Sequence, residues 1–447
     1  MGGGAPAVYR VEAAAPLPHW PFTLMIVAYP VWFVLGLGGF MWVVLAGPMA
    51  ASLVRRRGLV APRGLGWWGV FLVAVVGSGA GIDSVPRLAG YTLRLGYYVA
   101  AAVFVIYLVN GGRGLSVWRI IRAFALLWMV AIVGGYLAFV LADVTFRAPL
   151  FHLLPRSLLS NELLHALVTP GFADVQDIVG FPVPRPKAPF PYTNSWGSMV
   201  ALTTPFALMA LVDRRVGLPP RLVRWFLVAG VVPVVVSLNR GLWLSLGVGA
   251  VYVAVRLGVG GRVGAVVRMG AVTLAFTAVL AVSPLGALVQ TRVDTGHSDK
   301  DRRGLASAAI DGAAERPVFG WGAPRPNVGS LPSIGTHGQL WLVAFSHGAV
   351  GTVGFVGALL TFWYRTRSQP STVGLWANAV IVIGLIQLPF YLMIPHSLFA
   401  VMAAVAVALR LQDPDGDGDG DGDGDGDGDR SGAGAGPVGS FDGGRGG

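Results

Sequence analysis

Between Phe22 and Arg410 the chain is a succession of apolar runs, at about 22–54, 67–81, 91–109, 120–142, 196–211, 222–238, 242–255, 266–282, 338–363, 373–388 and 391–409, parted by shorter polar stretches. A run crossing a hydrocarbon core of roughly 30 Å must satisfy its own backbone groups, so each is expected to be helical. The pattern predicts an all-α fold, a polytopic membrane helical bundle of about eleven or twelve transmembrane helices. The uncertain count lies in the first run, which Pro30, the Gly36, Gly38 and Gly39 cluster and Gly47-Pro48 interrupt.

Orientation follows from the loops. Arg55, Arg56, Arg57 and Arg63, then Arg113, Arg119 and Arg122, then Arg214, Arg215, Arg221 and Arg224, then Arg256, Arg262 and Arg268, then Arg365 and Arg367 fall in alternate connections. By the positive-inside bias these are cytoplasmic. Two large extracytoplasmic loops, about 143–195 and 284–337, are then expected on the other face, with the tight connection around Asn239 and Arg240. In the first, apolar residues from Leu150 to Leu167 recur at helical spacing, as in a helix lying along the interface, and a proline-dense run from Phe181 to Trp196 follows. The second holds a helix-compatible stretch near Arg303 to Ala314 and then Gly/Pro-rich chain.

Composition sharpens this reading. The chain is 54% hydrophobic and 12% charged, with a mean hydropathy of +0.65, which makes lipid the solvent for most of it. There is no cysteine, hence no disulfide, thiolate nucleophile or Cys-ligated metal. Residues 1–21 form an N-terminal segment without the basic start and small-residue cleavage site of a secretory signal. Residues 411–447 form a tail with seven Asp-Gly repeats from Asp415 to Gly428. It is expected to be disordered, cytoplasmic and dispensable. That tail holds ten of the 22 acidic residues and two of the 33 basic ones, so the helical part is more basic than the net +11 suggests. Its arginines sit in short inter-helix loops, where they meet anionic headgroups, and no nucleic-acid partner is expected.

Candidate chemistry is sparse. Arg240 stands in Ser237-Leu238-Asn239-Arg240-Gly241 between two apolar runs, and its planar fork suits bidentate contact with a phosphate or diphosphate at the interface. A snorkelling arginine at a turn would look the same. Further on come Arg302 and Arg303, then Pro317-Val318-Phe319-Gly320-Trp321-Gly322, then His337 before the run that starts at Gly338. A histidine at a membrane mouth can take a proton from a hydroxyl. His347 and His396 read as packing or capping residues. The acids Asp294, Asp299, Asp301 and Asp311 have no metal-ligand spacing and read as a solvated surface, so neither metal nor cofactor is expected.

The order of these features resembles the O-antigen ligase and O-antigen polymerase superfamily, with wording similar to members from high-GC Gram-positive bacteria. An Arg-Gly at an outer helix junction precedes a large loop with an arginine, a Pro-x-x-Gly-x-Gly element, and a His at the next helix followed by His347-Gly348 and Gly351; Arg185 to Gly197 stands where that family has a Pro-Asn element. The resemblance implies a membrane glycosyltransferase of the cell envelope. Such an enzyme moves glycan from a polyprenyl diphosphate carrier to an acceptor hydroxyl on the outer face of the bacterial cytoplasmic membrane. Its partners are the lipid-linked glycan, a hydroxyl-bearing acceptor and membrane lipid. Carried over, Arg240 holds the diphosphate, Arg302 or Arg303 adds a second positive charge, His337 is the general base, and Asn194 and Arg185 contact substrate. Gly338 stands where members commonly carry Asn, and Ala306 where an aromatic is common. A multi-span transporter or flippase for a lipid-linked glycan is the other reading, although the spans hold no Asp or Glu well inside them and show no internal repeat.

Overall fold

Among the described residues, five helices are long and apolar enough to cross a membrane: Val85–Val109, Gly112–Val140, Thr193–Val212, Arg240–Val259 and Gln339–Thr366. Shorter apolar helices accompany them at Met41–Val54, Leu65–Gly81, Val263–Val279, Thr372–Gln387 and His396–Arg410. The computed structural model describes residues 16–294, 297–326 and 333–412, and the Asp-Gly tail lies outside them. The fold is mostly helical, and membrane-spanning in character. Large apolar side chains such as Val73, Val76, Val251 and Val255 stay exposed on the outward helix faces, as a lipid-facing surface requires.

His396–Arg410 is the axis of the bundle. It packs against Val85–Val109, Val117–Val140, Thr193–Val212, Gln339–Thr366 and Thr372–Gln387, and nearly all its residues are buried. The sequence explains this position: Ala400, Ala403, Ala404, Ala406 and Ala408 leave no bulk to hold neighbours off, and a helix apolar all round belongs in a core. A second close pair is Gln339–Thr366 against Leu65–Ser78, where a side chain at Gly354 would stand 2.6 Å from the Phe71 backbone nitrogen.

The first apolar run is broken where its prolines and glycines fall, into Trp20–Ile26, Tyr29–Leu35, Met41–Val44 and Ala46–Val54. The segment 150–167 also departs from the expected single helix. It forms a 3-10 turn at Pro149–Leu153 and short helices at Arg156–Leu159 and Glu162–Val168. Pro155 cannot donate a backbone hydrogen bond, and Asn161 starts a fresh helix by accepting from the Leu164 N–H at 3.2 Å. The proline-dense run then supplies one strand of an antiparallel hairpin, β1 (Ala173–Asp177) with β2 (Pro182–Pro186), in the register Asp174 opposite Arg185. Much of 284–337 is helical too, at Pro284–Asp294 and His297–Glu315.

The arginine-bearing connections meet at one end. Arg410 donates to the carbonyls of Leu108, Leu115 and Gly112, Arg56 to that of Asn110 at 2.9 Å, and Arg256 to that of Arg367 at 2.6 Å. Guanidinium groups there close the last turns of helices, whose final carbonyls have no partner of their own.

Candidate functional site

The connection that carries Arg240 is short and bent. Val231–Val236 ends, Leu238 takes a left-handed φ of 49°, and Asn239 caps the next helix by accepting from the Leu242 N–H. A non-glycine residue in that region is uncommon and is held there by its surroundings. Two buried arginines supply the hold. Arg185 Nε donates to the Ser237 carbonyl at 3.0 Å and its Nη1 to Gln176 Oε1 at 2.7 Å, while Arg292 Nε donates to the Leu238 carbonyl at 3.3 Å. With Arg240 half-buried at the first turn of its helix, three guanidinium-bearing residues converge on four residues of chain. Arg185 was expected from the sequence to contact substrate; its described bonds hold the junction.

His337 lies across a tyrosine from this junction. Gly338 has a φ of 133° and so little room that a side chain would stand 2.5 Å from the Pro389 carbonyl oxygen. The start of the Gln339 helix is thereby pinned to 388–391: Gln339 N–H donates to Tyr391 O at 2.8 Å, Leu340 N–H to Leu388 O at 2.9 Å, and Trp341 Nε1 to Pro389 O at 2.8 Å. The Tyr391 hydroxyl donates in turn to Asn239 Oδ1. His337 and Arg240 therefore stand at the same end of the bundle, each a short step from Tyr391. The His337 ring is half-buried, with Nδ1 3.3 Å from Thr336 Oγ1.

Asn194 is in the first turn of Thr193–Val212. Its Oδ1 is buried and has no hydrogen-bond partner among the described residues. The side chain of Thr193 beside it donates to Asp174 Oδ2 at 2.8 Å, and Lys187 makes an ion pair with the same carboxylate at 2.8 Å. Arg302 and Arg303 fall within His297–Glu315, but their side chains lie outside the described ones.

The Pro-x-x-Gly-x-Gly element wraps the broken part of Gln339–Thr366. Gly348 is non-helical there, with φ 65° and ψ −164°. The carbonyls of Pro317 and Val318 accept from Ala349 and Val350, while Trp321 and Gly322 N–H donate to Phe345 and Ser346 carbonyls. The fragment thus replaces the helical bonds that the kink removes. A side chain at Gly348 would sit 2.4 Å from the Val318 carbonyl oxygen. Arg87 clamps the far side of the element, donating to the carbonyls of Trp321, Ala323, Pro324 and Gly81 and to Asp83.

A further neighbourhood surrounds Arg94, which sequence reasoning passed over. Arg94 lies within the Val85–Val109 span, about 10 Å along the helix from Arg87 at the usual rise per residue. It is within electrostatic reach of Tyr97, Tyr98, Tyr192 and Glu162, and of His347. Tyr98 and His347 have ring centroids 6.0 Å apart, and Tyr98 accepts a hydrogen bond from Gln339 Nε2 at 3.1 Å. The Ser78 hydroxyl donates to Val75 O at 2.6 Å, so at 2.8 Å from His347 Nδ1 it serves as the acceptor. His347 is then the Nδ1–H tautomer, with its lone pair on Nε2.

No family model matches this chain, and no curated protein matches it.

Proposed function

We propose that the chain is a membrane glycosyltransferase that moves glycan from a polyprenyl diphosphate carrier to an acceptor hydroxyl on the outer face of a bacterial cytoplasmic membrane. The observation that supports it most is the convergence of Arg185, Arg240 and Arg292 on the 237–240 junction, with His337 reached from that junction through Asn239 and Tyr391. In this reading the acceptor oxygen attacks the anomeric carbon as its proton passes to His337, and the anomeric C–O bond to the diphosphate breaks. The electron pair leaves with the carrier diphosphate. Fixed guanidinium charge stabilises the leaving group as its charge grows, and the base acts only as the new bond forms. Arg240 is the residue assigned to the diphosphate, and Arg292 joins Arg302 and Arg303 as a candidate for the second charge. The reading invokes no metal and no cofactor.

The same reading takes the long and short apolar helices together as about eleven or twelve crossings, with 143–195 and 284–337 outside and the C-terminus in the cytoplasm. Single cysteines at the exposed Ser160 and Ser368, in a chain that has none, report this with an impermeant reagent. Labelling of 160 but not 368 in intact cells is expected, and the reverse would invert the topology.

The mechanism is tested with purified protein, lipid-linked oligosaccharide and acceptor. His337→Ala is expected to retain carrier binding and to lose transfer by about a hundredfold or more. Arg240→Lys keeps the charge without the fork and is expected to weaken both. Near-normal product from His337→Ala removes the proposed base, and movement of lipid-linked glycan across the bilayer without product would make the chain a carrier instead.

A further inference from the structure

Trp321 carries two guanidinium groups. Arg316 Cζ lies over its ring at 4.1 Å from the centroid and Arg325 Cζ at 3.6 Å. The two cations are therefore at most about 8 Å apart, no more than a Debye length at physiological salt, and an anion on either is attracted by both. A guanidinium over an aromatic face keeps its N–H groups in its own plane, directed past the ring rather than into it. Arg325 donates from Nη2 to Asp83 Oδ2 at 3.1 Å, and Asp83 is shared with Arg87. Arg316 is exposed and makes no hydrogen bond or ion pair among the described residues, its sequence neighbour Glu315 included.

The ring between them is fixed. Trp321 Nε1 donates to the Gly312 carbonyl at 2.7 Å, its backbone N–H to the Phe345 carbonyl at 3.0 Å, and its own carbonyl accepts from Arg87 at 2.8 Å. The apolar surroundings indicate which anion the pair meets. Val318 and Phe319 are 51% and 43% exposed. The Phe319 ring lies against Leu65–Ser78, where a side chain at Gly77 would stand 3.1 Å from it, and Val73, one turn earlier on the same face, is exposed. The lipid-facing surface of that helix thus runs up to Phe319, and positive charge begins beside it. A soluble phosphate would use the arginines and leave Val318 and Phe319 in water. A glycerophospholipid uses both, with its phosphodiester on the guanidinium groups and its acyl chains along Phe319 and Val73. The ammonium of a zwitterionic headgroup would be brought beside two cations, which favours an anionic lipid.

We propose that Arg316 and Arg325 on Trp321, with Val318 and Phe319, form a binding site for the headgroup of an anionic glycerophospholipid in the leaflet on that face, the outer one in the orientation proposed above. The site is separate from the 237–240 junction and does not rest on glycosyl transfer. Its occupancy has a bonded route to the His337 segment, because the Arg325 carbonyl accepts from the Ile334 N–H at 2.9 Å. Bound lipid holds the 316–325 platform, and with it the start of that segment, in one arrangement.

The test follows backbone amide exchange across 316–325 in the full chain, in nanodiscs of phosphatidylcholine alone, of phosphatidylcholine with phosphatidylglycerol, and of phosphatidylcholine with inorganic phosphate added. Phosphatidylglycerol is expected to slow exchange there several-fold, and the other two conditions are not. Arg316→Gln is expected to raise the phosphatidylglycerol fraction needed for half of that protection by about tenfold, the loss of a charge-assisted contact. Arg316→Lys, which keeps the charge without the fork, is expected to fall between. Val318→Ser, at an exposed side chain, is expected to weaken the protection without any change of charge. Arg221→Gln, in one of the arginine-bearing connections, is expected to leave it unaltered. Thermal unfolding in phosphatidylcholine confirms that each variant is folded. Equal protection in phosphatidylcholine or by inorganic phosphate, protection indifferent to Arg316→Gln, or no protection under any condition would overturn the proposal. So would protection by a polyprenyl diphosphate but not by phosphatidylglycerol, which would assign the surface to a carrier lipid.

Discussion

Arg87 and Arg94 lie on one helix, yet their surroundings are opposite. Arg87 is an 8%-exposed side chain whose donors are all aimed at peptide carbonyls of 81 and 321–324 and at Asp83. Among the described residues Arg94 has no such partners. The difference separates a cation that organises backbone with no regular structure of its own from one whose guanidinium makes no hydrogen bond to the described residues. Removal of the first should register strongly in stability and removal of the second should not.

The largest expected effect follows from the first. Arg87→Met leaves four carbonyls without a donor in a buried setting, and its cost is expected to be about 3 kcal/mol or more. Thermal unfolding in detergent reads this as a large fall in Tm. Because the 317–324 element caps the kink at Gly348, the same variant is expected to expose that kink to amide exchange. A fall no greater than that of a surface arginine would break the contrast.

Arg94→Met is expected to do the reverse. A cation without a partner contributes little to folding and carries a desolvation cost, so its removal should leave Tm unchanged or raise it, within about 1 kcal/mol. A loss as large as that of Arg87→Met would mean that Arg94 is structural and would remove the asymmetry.

How much of this could be read in the sequence depends on which physical signal each residue leaves. Arg240 and His337 stand where an apolar run begins, and a polar side chain at such a boundary is conspicuous. Their joint placement through Tyr391 was not legible, because it is made by a turn at 388–391 that has no periodicity. Arg292 sits in a segment read as outer loop, and nothing in its neighbours marks it as a partner of Leu238. Arg94 did leave a signal: an ionisable residue inside an apolar run, with Tyr97 and Tyr98 at the i+3 and i+4 positions that share its helix face. A window dominated by aliphatic residues averages that signal away. His347 reads as packing because a buried histidine usually is, and its rings against Phe71 and Tyr98 agree; the bare Nε2 is visible only when the Ser78 and Val75 bonds are in place. The expected helix at 150–167 failed for a local reason, since Pro155 and Asn161 punctuate a periodicity that is otherwise correct.

The smallest expected effect tests the outer edge of the Arg87 clamp. Asp83 is exposed, and its hydrogen bond from Arg87 holds its carboxyl below the ordinary carboxylate range; desolvation opposes this, and charge from Arg87 and a bond from Arg325 add to it. A carboxyl whose folded pKa is depressed stabilises the fold above its unfolded value, about 3.9, and that contribution disappears as pH falls through the lower folded value. Asp83→Asn is therefore expected to lower Tm slightly at pH 7, and the gap from wild type should close as the pH is taken below about 4. Raising the salt concentration at pH 7 should narrow the same gap, since an exposed pair is screened. A gap that persists unchanged in acid would mean that Asp83 holds Arg87 through neutral hydrogen bonding rather than charge, and the clamp would then depend on its carbonyls alone.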